Sequence, residues 1–115
     1  MTRDEFLEFC RNIPGASVDR PFDEDFETYA ARHTLSRKWF ALLMLHEGRY
    51  IVNLKCEPQE ADLLRKLFCG IIPAYHMNKT HWNTVILDSD VPDEEIERMV
   101  MNSFALTDKK RQPGR

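Results

Sequence analysis

Glycine is scarce in this chain, with four residues in 115. A loop that cradles phosphates with its backbone N–H groups needs closely spaced glycines. Neither GxGxxG nor GxxxxGK[ST] occurs, so nucleotide binding of that kind is excluded. Cysteine is scarce too: Cys10, Cys56 and Cys69 are an odd number without CxxC spacing. They are expected to be reduced and mostly buried, as in a reducing compartment. No apolar run is long enough to span a bilayer. The opening MTRDEFLEFC is acidic and amphipathic and lacks the basic start and apolar core of a signal peptide. A cytoplasmic protein with no membrane partner is therefore expected. There is no internal repeat and no Gly/Ser linker. Nor is there an excess of positive charge, since 16 Lys and Arg face 19 Asp and Glu for a net −3. That balance excludes a surface generally attractive to nucleic acid and leaves room for a local basic patch.

What is present fits one globular domain. Apolar residues make up 43% and charged residues 30%, near globular averages. The length is sufficient to bury a core without disulfide or metal staples. Residues 1–107 are read as the domain. Residues 108–115, DKKRQPGR, lose periodicity and read as a mobile basic tail.

Residues 3–13 carry Phe6, Phe9, Cys10 and Ile13 at helical spacing. Thr2 and Glu5 have capping-box spacing, and Pro14-Gly15 ends the run. ASVDRPF and FETYAAR are read as two short strands around an acidic turn. KWFALLML and RYIVNLK flank His46-Glu47-Gly48 and form the clearest hairpin. The first is apolar on both faces, so it is expected to be central and covered. In the second, Tyr50, Val52 and Leu54 face one way and Ile51, Asn53 and Lys55 the other. Residues 58–69 read as a helix opened by Pro58, burying Leu63, Leu64, Leu67 and Phe68, and stopped by Gly70. WNTVIL, residues 82–87, reads as a strand. Residues 92–106 read as a helix lined by Ile96, Met99, Val100 and Ser103. The order predicts an α+β domain of two layers, helices packed on an antiparallel sheet.

The segment IIPAYHMNKTHWNTVIL, residues 71–87, is the candidate site. His76 and His81 lie five apart, unlike the i, i+4 pair of a helical metal site, and Lys79 between them opposes a dication. No metal and no cofactor are expected. A dyad of Cys56 or Cys69 with His76 lacks any Gly-rich oxyanion elbow. Cys69 also ends a helix, where the dipole disfavours a thiolate. Glu94 and Glu95 read as complements to a helix dipole. The protein is thus expected not to be an enzyme. Lysine, arginine and asparagine contact phosphates, and aromatics stack on bases. The residues placed at a nucleic-acid surface are Lys55, His76, Asn78, Lys79, His81, Arg37 and Lys38, with Arg65 and Trp82 nearby. The acidic blocks 19–27 and 94–97 must lie elsewhere for that surface to bind. The opposing reading is a packed connector: Trp82 in the core with its N–H held, Asn78 or Asn83 satisfying backbone, and Lys55 and Lys79 paired with acids.

Several pieces align in order with one family: KWFAL, VNLKCEP, LLRKLFCGIIPAYHMNKTHWNTV, VPDEEI and NSFAL. From about residue 3 to residue 107 the chain resembles the MmcQ/YjbR family of small bacterial proteins. The resemblance implies a CyaY-like fold and a double-wing arrangement proposed to bind DNA, with no enzymatic activity established for the family as a class. The chain departs at Pro21-Phe22-Asp23, where members often have Pro-Phe-Gly, and at Ser103-Phe104, where they often have Ser-Tyr. The expected function is non-catalytic binding of double-stranded DNA by a monomer. The alternative is a small-molecule or protein-binding pocket beside His76, Lys79 and His81.

Overall fold

A computed structural model describes residues 1–108, so the expected basic tail lies, apart from Asp108, outside the described residues. Helix α1 (Arg3–Arg11) begins with the expected capping box. The Glu5 N–H donates to the Thr2 hydroxyl at 3.1 Å, and the Thr2 N–H donates to the Glu5 carboxylate at 2.9 Å. Phe6, Leu7 and Cys10 are buried, and Ile13 is buried just past the helix end. Gly15 then takes a φ of +86°, a conformation suited to glycine.

The strands are β1 (Ala16–Asp19), β2 (Tyr29–His33), β3 (Trp39–His46), β4 (Arg49–Lys55), β5 (Ile71–Pro73) and β6 (Trp82–Ile86). They form one antiparallel sheet in the order β1-β2-β3-β4-β6-β5. Helices α2 (Pro58–Leu67) and α3 (Asp93–Leu106) complete the helical layer. The two-layer α+β arrangement is the one expected. None of these helices is long and apolar enough to cross a membrane.

His46 pairs with Arg49, which leaves the two-residue loop Glu47-Gly48, both with positive φ. Two left-handed residues give the turn whose twist matches a hairpin. Phe40, Ala41, Leu42 and Leu43 are all buried, as a central covered strand requires. Between β2 and β3 the register slips. Ala31 faces Ala41 while Arg32 faces Trp39, so Phe40 is an extra residue. The bulge turns Phe40 into the core and leaves Trp39 on the opposite face beside Arg32, whose guanidinium lies 5.5 Å from the ring.

Ala41, Leu43, Val52, Leu54 and Val85 join residues from all three helices in one core. Strand alternation puts Arg32, Leu42, Asn53, Lys55, Thr84 and Trp82 on the outer face of the sheet, away from the helices.

Helix α2 differs from its expected rotation. Ala61 and Leu64 are buried, whereas Leu63 is 54% and Leu67 62% exposed. The leucines allow two i, i+4 stripes about 100° apart. Asn83 selects between them, because its Nδ2 donates to the Ala61 carbonyl at 3.1 Å and its Oδ1 accepts from Arg65 at 2.7 Å. Gly70 also acts differently from a left-handed helix stop. The cap residue Phe68 is extended, and a Cβ on Gly70 would meet the Ser89 Oγ at 2.0 Å. Glycine is required there for close approach.

Candidate functional site

The connection from β5 to β6 folds back over the outer face of the sheet. Asn53 on β4 and Thr84 on β6 face each other in register, and both are fully buried. The Thr84 hydroxyl donates to Asn53 Oδ1. Asn53 Nδ2 donates to the Tyr75 carbonyl at 2.8 Å, and the Tyr75 N–H donates to Thr84 Oγ1 at 2.8 Å. Two side chains thus satisfy both backbone groups of one connection residue. Beyond this anchor the Tyr75 ring lies between His46 and His76, at 4.3 and 4.0 Å between ring centres. His76 has a φ of +62°, in the left-handed region. Asn78 Oδ1 then accepts from the N–H groups of Thr80 and His81 at 2.9 and 3.1 Å, a side-chain-closed turn. Lys79 Nζ donates to the Ala74 carbonyl at 2.7 Å and Arg65 to the Lys79 carbonyl at 3.3 Å.

The expected site residues divide into separate groups. Lys55 faces Trp82 directly across the ladder, and the Cys56 N–H donates to the His81 carbonyl at 2.8 Å. Lys38 precedes β3 at the same end of the sheet, because β3 starts where antiparallel β4 ends. Lys38, Lys55, His81 and Trp82 therefore share one sheet end, with Lys79 and Asn78 on the adjoining turn. His76 stacks toward His46, which ends β3 at the opposite side. Arg37 has a φ of +67° and is drawn to Asp19 at 3.7 Å, which also holds Arg32 at 3.0 Å.

The packed-connector reading holds for two asparagines and not for the tryptophan or lysines. Asn78 and Asn83 both satisfy backbone groups. Trp82 is half-buried on the outer face instead of lying in the core. Among the described residues, Lys38, Lys55 and Lys79 have no carboxylate within the 4.0 Å of an ion pair. Glu94, Glu95 and Glu97 belong to α3 in the opposite layer. The block 94–97 thus lies elsewhere as required, but the block 19–27 does not: Asp19 shares the outer face, and the acidic loop 20–28 borders it through Phe22, whose ring centre lies 6.4 Å from that of Trp39 in a T-shaped contact. Sequence reasoning missed Trp39 and Arg32. The Phe40 bulge decides that they share a face, and no residue pattern announces it.

The thiols divide in two. Burial pushes Cys10 up to about 12 and Cys56, helped by Glu60, up to about 11. Both stay protonated near neutrality, so Cys56 is not an activated nucleophile. Two of the three thiols are buried, as the expectation of mostly buried thiols has it, and Cys69 is the exposed one, where the chain leaves α2 extended and its N–H donates to Asp90 at 2.8 Å. A disulfide-exchange reagent at mildly alkaline pH is expected to modify one thiol rapidly in the native protein. Cys69→Ser should remove that fast phase, and two or three fast thiols would contradict the burial of Cys10 and Cys56. No group of three or more His, Cys, Asp or Glu side chains among the described residues is placed to hold a metal ion.

Two cavities stand out among the described residues, the first of them reaching Leu35 and Ser36 beside Lys38. One, of about 390 Å³, is lined by Pro14, Gly15, His33 and Phe104 among others. The second, of about 310 Å³, lies at Thr2, Arg3, Asp4, Tyr50 and Asp88. Neither adjoins His76, Lys79 and His81. In the first, His33 stacks on Phe104 at 4.2 Å and its Nε2 meets the Thr107 hydroxyl at 2.8 Å. Burial holds the His33 imidazole below its ordinary pKa of 6.5. Phe104 therefore serves by ring contact, with no hydroxyl.

Comparison with known proteins gives a consistent set. A family model described as YjbR matches residues 11–106. The chain is 36% identical over 118 residues to Bacillus subtilis YyaQ, covering 93% of this chain and 98% of that one. It is 36% identical over 104 residues to Escherichia coli YjbR, covering 90% and 85%. A Pseudomonas syringae crystal structure superposes with a TM-score of 0.85 at 33% identity, covering 94% of this chain and 100% of that one. A Deinococcus radiodurans protein carrying the domain DUF419 superposes at 0.83 with 31% identity, covering 98% and 83%.

Proposed function

The chain belongs to the YjbR family, and on that footing we propose that it is a non-enzymatic DNA-binding protein. DNA lies against the sheet end formed by Lys38, Lys55 and His81, with Lys79 on the adjoining turn. The observation that carries this reading is the state of the lysines. Lys38, Lys55 and Lys79 lack a carboxylate partner among the described residues, in the layer opposite the acidic start of α3. A cation whose charge no carboxylate offsets can neutralise phosphate and release counterions, even where, as at Lys79, a carbonyl accepts one of its protons. The high-lying Cys56 thiol supports a role without covalent chemistry.

The test is fluorescence anisotropy with labelled mixed-sequence DNA, duplex and single-stranded, across about 50–200 mM salt. Engagement of three cations predicts a log–log salt slope of about −2 to −3. Lys55→Glu and Lys79→Glu should each weaken binding and flatten the slope. Absence of binding to either form at low salt removes the proposal, as does affinity unchanged in both variants.

A further inference from the structure

We propose that the preferred occupant of this face is single-stranded nucleic acid, whose bases stack on Trp39 and Trp82 while Lys55 between them meets the backbone. This deepens the DNA-binding reading and rests on it. The chain has two tryptophans, and the fold brings both to one end of the outer face. Trp82 is the register partner of Lys55. Trp39 begins β3, the strand on the other side of β4. With adjacent strands about 4.8 Å apart, the two indoles are carried about 10 Å from each other with the lysine strand between.

Both tryptophans are half-buried and stand outside the core, so each leaves part of its indole at the surface. Among the described residues neither indole N–H has a hydrogen-bond partner, unlike a tryptophan built into an interior. Arg32 covers one face of Trp39, its guanidinium lying over the ring at 5.5 Å, and Phe22 makes a T-shaped contact with ring centres 6.4 Å apart, so the indole is fixed with its other face left for a base. Arg32 is fixed in turn by Asp19 at 3.0 Å. These contacts orient an aromatic surface in advance.

Charge separates the two forms of nucleic acid. Three cations without a carboxylate partner among the described residues neutralise too few phosphates for a duplex to be held by its backbone alone. Stacking does not need many charges, and it needs bases that are already unpaired. The aromatic pair with one interposed ammonium suits a short unpaired stretch.

Because Trp39 and Trp82 are all the tryptophan there is, intrinsic fluorescence reports on this face alone. A twelve-nucleotide oligothymidylate is titrated into the intact protein at about 150 mM salt, beside a duplex of equal length. The expected result is strong quenching by the single strand, with affinity at least tenfold above the duplex. Its salt slope should be shallow, about −1 to −2, given roughly 0.7 per neutralised phosphate on single strands. Trp82→Ala should weaken it by about 5- to 100-fold, the range expected for loss of one stacked base, while Trp82→Phe retains most of it. Circular dichroism checks that each variant is folded, and the wild-type comparison decides the matter without them. Equal or tighter duplex binding overturns the single-strand inference and leaves DNA binding standing. Single-strand binding without quenching overturns the stacking platform. A proline-rich peptide that shifts the indole emission where the oligonucleotide does not would assign the aromatic face to a protein partner. No binding of either nucleic acid at low salt removes both readings.

Discussion

Asn53→Leu is expected to destabilise the protein by about 3 kcal/mol and to release the connection between β5 and β6. Asn53 is fully buried at the centre of the sheet, and both ends of its amide are engaged. Leucine is close in size, so the cost is not one of volume. It comes from the Tyr75 carbonyl, which is part-buried, and the fully buried Thr84 hydroxyl, both of which lose their partner. A buried group left unsatisfied costs about 1–3 kcal/mol. For a domain of this size, about 3 kcal/mol lowers Tm by on the order of 10 °C or more. Hydrogen exchange at the Tyr75 amide should quicken more than at strand amides of β3, because the damage is local before it is global. The double variant Asn53→Leu with Thr84→Val should cost less than the two single changes added together, since each single change strands the other side chain of the Asn53–Thr84 bond and the double change strands only the two Tyr75 backbone groups. An unchanged Tm with unchanged exchange at Tyr75 would show that the network does not hold the connection. The same change tests function at a distance: Asn53 touches no ligand in the proposal, yet it holds the segment that carries Lys79 and His81. Its loss should weaken nucleic-acid binding as well.

The fold was legible where local chemistry is strong. Thr2 with Glu5 marks the start of α1, and Gly48 closes a two-residue hairpin. The apolar run of β3 implied a strand covered on both sides, and Phe40 to Leu43 are buried. Legibility failed where tertiary contacts decide. Strand β5 is three residues long and includes a proline, too short for any alternation. The rotation of α2 is set by Asn83, which lies 22 positions along the chain from the Ala61 carbonyl it holds. For the site, sequence proximity misled in one place and helped in another. His76 and His81 are five residues apart, but the folded-back connection sends His76 toward His46. Lys79 and His81 are close along the chain and stay on one turn and strand start. Lys55 and Trp82 are far apart in sequence and become direct partners. Trp39 joins them only through a bulge, and a one-residue slip of that kind has no signature in composition or periodicity.

The bulge also sets the second large effect. Ser103→Ala is expected to cost about 2–3 kcal/mol, far above a usual surface serine. The slip at Phe40 ends the direct pairing of β3 with β4 at Ala41 and Leu54. One residue further, the Lys55 N–H and the Phe40 carbonyl do not meet each other. The Ser103 hydroxyl from α3 stands between them, accepting from Lys55 at 2.9 Å and donating to Phe40 at 2.6 Å. Ser103 is fully buried, and the space vacated by one hydroxyl is too small for a replacement water. Alanine therefore strands two backbone groups and unties the helix from the sheet. Urea unfolding should show a lower midpoint at unchanged slope, the mark of lost stability without a change in exposed surface. Ser103→Cys, nearly the same shape with a weaker donor and acceptor, should fall between serine and alanine. Amide exchange at Lys55 should rise in Ser103→Ala, because its N–H has lost the acceptor that completes the ladder. A midpoint within error of the wild type would mean that the hydroxyl bridge is incidental. The expected loss would instead place the support of the Trp39–Lys55–Trp82 face inside the opposite layer of the protein.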